Sequence, residues 1–137
     1  MQLTNRSFLV TGGGSGLGAA CARMFVAAGA QVVIIDLNRT SAESLVAELG
    51  TAAQFVEADV TDEAAIRQAI AIAQAQSPLA GIVCCAGIAP AARIAGRDGP
   101  HDFALFERVI RVNLLGTFNV LRLAADAMTR NEPGPDG

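Results

Sequence analysis

No lysine, no tyrosine and no tryptophan occur in these 137 residues; all ten basic side chains are arginine. The missing lysine excludes triphosphate loops of the GxxxxGK[ST] type, whose lysine neutralises phosphate charge. A single histidine, with no CxxC or HxxxH spacing, argues against a metal centre. The three cysteines, Cys21, Cys84 and Cys85, are odd in number and two are adjacent. That is no disulfide framework, and it leads us to expect a reducing, cytoplasmic setting. No apolar run approaches the ~18 residues of a membrane span. The opening "MQLTNRSFLV" lacks the charged and long apolar regions of a signal peptide. Net charge is −3 with the charges scattered, so neither nucleic acid nor a membrane surface is an expected partner.

What is present is apolar: 52% of the residues are hydrophobic, enough for one compact domain with a real core. Short β-branched runs at "SFLVT" (7–11), "QVVIID" (31–36), "AQFVEAD" (53–59) and "GIVCCAG" (81–87) read as buried strands. Between them, alanine-rich stretches at about 16–28, 40–49, 62–76 and 102–130 carry helical spacing. Ser41 and Asp62 fit N-cap or first-turn positions, and Gly29 and Gly50 fit helix C-termini. Strict strand–helix alternation implies parallel strands with right-handed crossovers. The closing "NEPGPDG" is a helix stop followed by turn residues. The predicted fold is therefore α/β, a Rossmann-type doubly wound parallel sheet. It is incomplete, with about four strands and four helices.

The segment "TGGGSGLG", Thr11 to Gly18, joins the first strand to the first helix. A helix N-terminus carries unpaired N–H groups and partial positive charge, and binds phosphate where the backbone can come close. Glycines at 12, 16 and 18 would allow the turn, the approach and close helix–strand packing. The plainer reading is a glycine-rich turn with Ser15 as helix cap. Asp36 weighs against it. It ends the second strand about 20 residues on, where a carboxylate takes ribose hydroxyls and repels a 2′-phosphate. NAD is thus the expected cofactor over NADP, with Arg39 as a solvated helix-start charge. Asp59 and Val60 close the third strand at the end of the sheet suited to an adenine ring. In the long helix, Phe106, Val109, Ile110, Asn113, Thr117, Val120, Leu121, Ala124 and Met128 follow a helical stripe. Asn113 is therefore expected on the buried face, with a kink near Gly116. Cys84 is expected in the core, and Cys85 in packing rather than thiol chemistry.

These residues resemble the short-chain dehydrogenases/reductases. "TGGGSGLG" is similar to their TGxxxGxG loop and "DV" (59–60) to their adenine-contact motif. "CAG" (85–87) stands where they usually have NAG, and "VNLLGTFNV" (112–120) resembles their fourth-helix motif. Within the family, "CAGIA" (85–89), the connection from about 90 to 102 and "NLLGTFNVLRLAA…NEP" are similar to type II 3-hydroxyacyl-CoA dehydrogenases. The resemblance implies NAD-dependent oxidation of a 3-hydroxyacyl-CoA to the 3-oxoacyl-CoA. It implies a cofactor site drawn from Gly12, Ser15, Gly16, Leu17, Gly18, Asp36, Asp59, Val60, Cys85, Ala86 and Gly87. It also implies a catalytic Asn113 that holds a proton-relay water, and a homo-tetramer packed through the long helix.

The family's proton-transferring tyrosine, and the lysine that lowers its pKa, have no counterpart in residues 1–137. The chain is thus expected to be the N-terminal part of one dinucleotide-binding domain, inactive alone, with its catalytic half elsewhere. The other readings are a non-catalytic NAD-binding or assembly module and a methyltransferase. The TGxxxGxG spacing argues against the second.

Overall fold

The computed structural model describes residues 3–97 and 99–133. The last four residues of the expected turn, "GPDG" (134–137), lie outside that range. Strands and helices alternate as β1 (Ser7–Thr11), α1 (Gly16–Ala27), β2 (Gln31–Asp36), α2 (Arg39–Leu49), β3 (Ala53–Glu57), α3 (Glu63–Gln76) and β4 (Leu79–Cys84). A small antiparallel ribbon, β5 (Ala95–Gly96) and β6 (Gly99–Pro100), follows. The long helix consists of α4 (Phe103–Ile110), a π-helical segment (Arg111–Gly116) and α5 (Thr117–Met128).

The four main strands are parallel, in the order β3-β2-β1-β4. Alternation along the two central strands sorts their side chains onto opposite faces. Phe8, Val10, Val32 and Ile34 pack with Ala19, Ala22, Phe25 and Leu45 of α1 and α2. Leu9, Val33 and Ile35 pack with Ile66, Ala69, Ile70 and Ala73 of α3 and with Val120, Leu123, Ala124 and Ala127 of α5. Alanines on the sheet-facing helix surfaces let the helices approach closely. The large side chains come from the strands, and burying each contributes roughly 1.5–3 kcal/mol. Phe8 stacks on Phe25 with ring centroids 4.2 Å apart.

The helix ends follow local chemistry. Asp62 caps α3 by accepting from the Ala65 N–H at 3.1 Å. Asn38 caps α2, accepting from the N–H of Ser41, which sits in the first turn. Gly29, with φ of +82°, follows α1 in the left-handed conformation that ends many helices.

The structure corrects several boundaries and faces. β3 stops at Glu57, paired with Asp36, because β2 ends there and no neighbour continues the ladder. β4 runs 79–84 rather than 81–87. Ser7 N–H bonds the Pro78 carbonyl at 3.0 Å, which starts the pairing early, and the ladder ends at the pair Thr11–Cys84. Cys84 is exposed, not core, because β4 is an edge of the sheet among the described elements.

The long helix buries a face rotated from the expected one. Gly116, Asn119, Val120, Leu123, Ala124 and Ala127 are buried, whereas Asn113, Phe106, Ile110 and Leu121 are exposed. The helix is apolar around most of its circumference, so spacing alone does not select the inward stripe. Packing on α3 and β4 does. The expected kink is the π-helical segment, which carries Asn113 in its middle and ends at Gly116.

Candidate functional site

The carboxyl ends of the strands open onto one crevice, where the chain leaves β1 for α1 on one side and β4 for the long helix on the other. β1 leads to β2 and β3 on one side, and the chain then crosses back to place β4 on the other side of β1. The strand order thus reverses between β1 and β4, the place where open parallel sheets bind ligands. A cavity of about 400 Å³ lies there, within the range of small-molecule sites. Of the expected residues, Gly12, Ser15, Asp36, Asp59, Val60, Cys85, Ala86 and Gly87 line it. Gly16, Leu17, Gly18 and Asn113 are outside its lining.

The glycine loop is shaped by backbone contact. Gly12 has φ of +61°, and a Cβ there would lie 2.6 Å from the Ala86 nitrogen. At Gly18 a Cβ would fall 2.2 Å from the Gly12 carbonyl oxygen, so α1 sits flush on its own loop. Gly16 has φ of +51° and nothing within 4 Å of a Cβ position, leaving open space above the first turn of α1. Ser15 occupies the N-cap position, but its side chain makes no cap hydrogen bond. The helix terminus therefore keeps donors free, and the plain capped-turn reading loses its cap. Leu17 is 81% exposed.

Asp36 closes β2 with both carboxylate oxygens engaged. Oδ2 accepts from the Gly14 N–H and Oδ1 from the Asn38 N–H, each at 2.9 Å. An ionised carboxylate has about four acceptor sites, so each oxygen retains capacity for a hydroxyl. Arg39 is committed elsewhere: it pairs with Glu43 at 2.9 Å and with Glu57. Two residues past the end of β3, Asp59 Oδ1 accepts from both the N–H and the hydroxyl of Thr61 at 2.8 Å. Val60 is buried beside it.

The far wall is tied to β1 by Thr11. Its carbonyl accepts from the Cys85 N–H at 3.0 Å and its hydroxyl from the Ala86 N–H at 3.3 Å. Burial first, and then neighbouring thiols, push the Cys84 and Cys85 thiols up, which keeps both protonated at neutral pH. Asn113 clamps the same wall: its Oδ1 accepts from the Ile88 N–H at 2.9 Å and its Nδ2 donates to the Ile88 carbonyl at 2.8 Å. One acceptor and one donor position of that exposed amide remain.

Several participants had no assigned role in the sequence reading. Thr11 opened the recognised loop, and its strand-tying function shows only in three dimensions. Arg108, Arg111 and Val112 reach the cavity from the long helix, a face that the expected stripe had turned elsewhere. Among the described residues no helix is long and apolar enough to cross a membrane.

A parallel α/β sheet with a glycine loop, an acid after β2 and an asparagine on the fourth helix defines a class. The chain belongs to the short chain dehydrogenase family, which matches residues 6–135. Members of this family generally use a nicotinamide cofactor. The bovine (Bos taurus) and human (Homo sapiens) 3-hydroxyacyl-CoA dehydrogenases type-2 are 42% and 41% identical over 132 residues. Each alignment covers 94% of this chain and 51% of the relative. The crystal structure of 3-hydroxyacyl-CoA dehydrogenase type-2 from Mycobacterium avium matches with a TM-score of 0.93 at 38% identity. It covers 100% of this chain and 55% of that one. The chain thus spans about half the length of the relatives it matches.

Proposed function

We propose that this chain forms the cofactor-binding half of an NAD-dependent dehydrogenase that oxidises a 3-hydroxyacyl-CoA to the 3-oxoacyl-CoA. The observation that carries the cofactor reading is Asp36, anchored by two backbone N–H groups at the rim of the cavity, with the neighbouring Arg39 already paired to Glu43 and Glu57. Such a fixed carboxylate accepts the ribose hydroxyls and repels a 2′-phosphate. The substrate class rests on the similarity to the type-2 enzymes.

The free N–H groups at the start of α1 and the unbonded Ser15 hydroxyl bind the pyrophosphate. Asp59 and Val60 hold the adenine side. The turn Cys85-Ala86-Gly87 presents backbone toward the nicotinamide half. The nicotinamide, when bound, supplies the hydride acceptor. Asn113, with its amide oriented by Ile88, keeps a donor and an acceptor free to hold a water in the proton relay. Neither tyrosine nor lysine occurs in these residues, so the proton-transfer pair of this chemistry lies outside residues 1–137. A homo-oligomer, a tetramer by resemblance, is supported by the exposed apolar surface of Phe103, Phe106, Leu114 and Phe118 on the long helix.

The test is isothermal titration of NAD into the protein expressed from its native gene, followed by NADH formation with a 3-hydroxyacyl-CoA. Binding and turnover are expected. Failure to bind NAD would overturn the cofactor reading, and binding without turnover would leave a binding module.

A further inference from the structure

We propose that Asn119, which stands outside the lining of the cavity described above, is a positioning residue for the adenosine end of the site: its buried amide holds the main chain of Val60 in place. This rests on the NAD reading above.

Asn119 is 8% exposed. Its Nδ2 donates to the Val60 carbonyl at 2.9 Å, and its Oδ1 accepts from Arg122 Nη2 at 2.8 Å. The polarity of the amide is chemically forced, since a guanidinium only donates and a carbonyl only accepts. Arg122 in turn pairs with Glu63, the first residue of α3, and Glu63 also takes Arg67 at 2.7 Å. The loop between β3 and α3 is thereby gripped from beneath by the long helix.

A second observation is independent of the hydrogen bonds. A Cβ at Gly116 would lie 2.3 Å from Val60 Cγ2, so the helix backbone is pressed against the side chain that walls the cavity. Without the Asn119 amide, the Val60 carbonyl would face an apolar helix surface with no donor. Such a carbonyl turns toward water rather than remain unpaired. Turning that peptide moves Val60 and Thr61, which both line the cavity, and draws the Thr61 N–H away from Asp59 Oδ1, which it now bonds at 2.8 Å.

The experiment compares Asn119→Asp and Asn119→Leu with wild type, reading thermal midpoints and the Kd for NAD and for ADP-ribose by titration calorimetry. Asn131→Leu serves as control, because Asn131 Nδ2 donates to the Leu79 carbonyl at 2.6 Å, at the opposite end of β4. Both Asn119 variants are expected to weaken NAD and ADP-ribose alike, by about tenfold. The control is expected to lower the midpoint while leaving both Kd values unchanged. A purely structural role would make the two sites behave the same.

Should the Asn119 variants fail to fold, Arg122→Met leaves Asn119 in place while removing the bond that orients its amide, together with the exposed pair to Glu63, and about threefold weakening is expected. Folded variants that bind as wild type does, or a control that loses as much affinity, would overturn the proposal. Wild-type protein that binds neither ligand would overturn the NAD reading, and this proposal with it.

Discussion

Asp36→Asn is the sharpest perturbation of the site, because the substitution keeps the shape and changes only what each atom can accept. Both carboxylate oxygens now receive a backbone N–H at 2.9 Å, from Gly14 and from Asn38. A carboxamide offers one acceptor and sets an NH₂ against the other donor. Gly14 is buried and Asn38 is exposed, so the carboxamide oxygen should turn to Gly14 and leave the Asn38 N–H to water. Replacing a charged acceptor by a neutral one at Gly14 costs about 1 kcal/mol, and the displaced bond at Asn38 up to about 1 more. A fall in thermal midpoint of roughly 4–8 °C follows for a domain of this size.

The cofactor effect is larger and has a direction. Loss of charge-assisted bonds to the ribose hydroxyls should weaken NAD by about 10- to 100-fold. The repulsion of a 2′-phosphate disappears as well. Two unit charges 4 Å apart interact by about 1 kcal/mol in water and about 4 kcal/mol at the rim of a protein. The affinity ratio of NADP to NAD should therefore rise at least about fivefold. Calorimetric titration of both dinucleotides, alongside thermal unfolding, reads all three quantities. An unchanged ratio together with unchanged NAD affinity would refute the assignment of Asp36 to the ribose.

Other expectations follow from the loop and from the ion-pair network. Gly18→Ala places a methyl 2.2 Å from the Gly12 carbonyl oxygen, so urea unfolding should show a loss of about 3 kcal/mol. Gly16→Ala meets no atom and carries only the left-handed backbone cost of roughly 1–2 kcal/mol, although its methyl stands over the start of α1 and should impair cofactor binding. Equal destabilisation by the two would contradict the loop geometry. Hydrogen bonds from Arg122 and then Arg67 hold the Glu63 carboxyl below the usual glutamate range. A lowered folded-state pKa contributes stability above the ordinary range, and that contribution is lost as pH falls through the lowered value. Glu63→Gln should flatten the acid limb of a urea-midpoint profile, and added salt should shrink the difference.

Much of this was legible in the sequence because it depends on local chemistry. β1 and β2 are short apolar runs closed by Thr11 and Asp36, and both ends fell where expected. Asp62 caps α3 as its place before a helical pattern implied. That the strands run parallel needed only the alternation of elements. The long helix was not legible in the same way. Phe106, Ile110 and Leu121 are as apolar as Val120 and Leu123, and only contact with α3 and β4 decides which of them turn inward. Asn113 was singled out by the helical stripe and the motif but placed on the wrong face. Its partner is the main chain of Ile88, and no side-chain pattern encodes a bond to a backbone group 25 residues away. Thr11 and Asn119 escaped for the same reason.

The Asn113 clamp has a mechanical consequence. It fastens Ile88 to the long helix at two points, so everything between them leaves and returns through one fixed gate. The His101 N–H to Ile94 carbonyl bond at 2.8 Å makes a second, smaller closure inside that excursion. The cost of closing a loop grows only slowly with its length. Residues added between Ala89 and Asp102 would therefore extend outward from the gate without widening the crevice behind it. The segment can be lengthened or shortened there while the wall formed by Asp59 and Val60 stays where it is. The clamp insulates the part of the fold that must stay constant from a part that is free to vary.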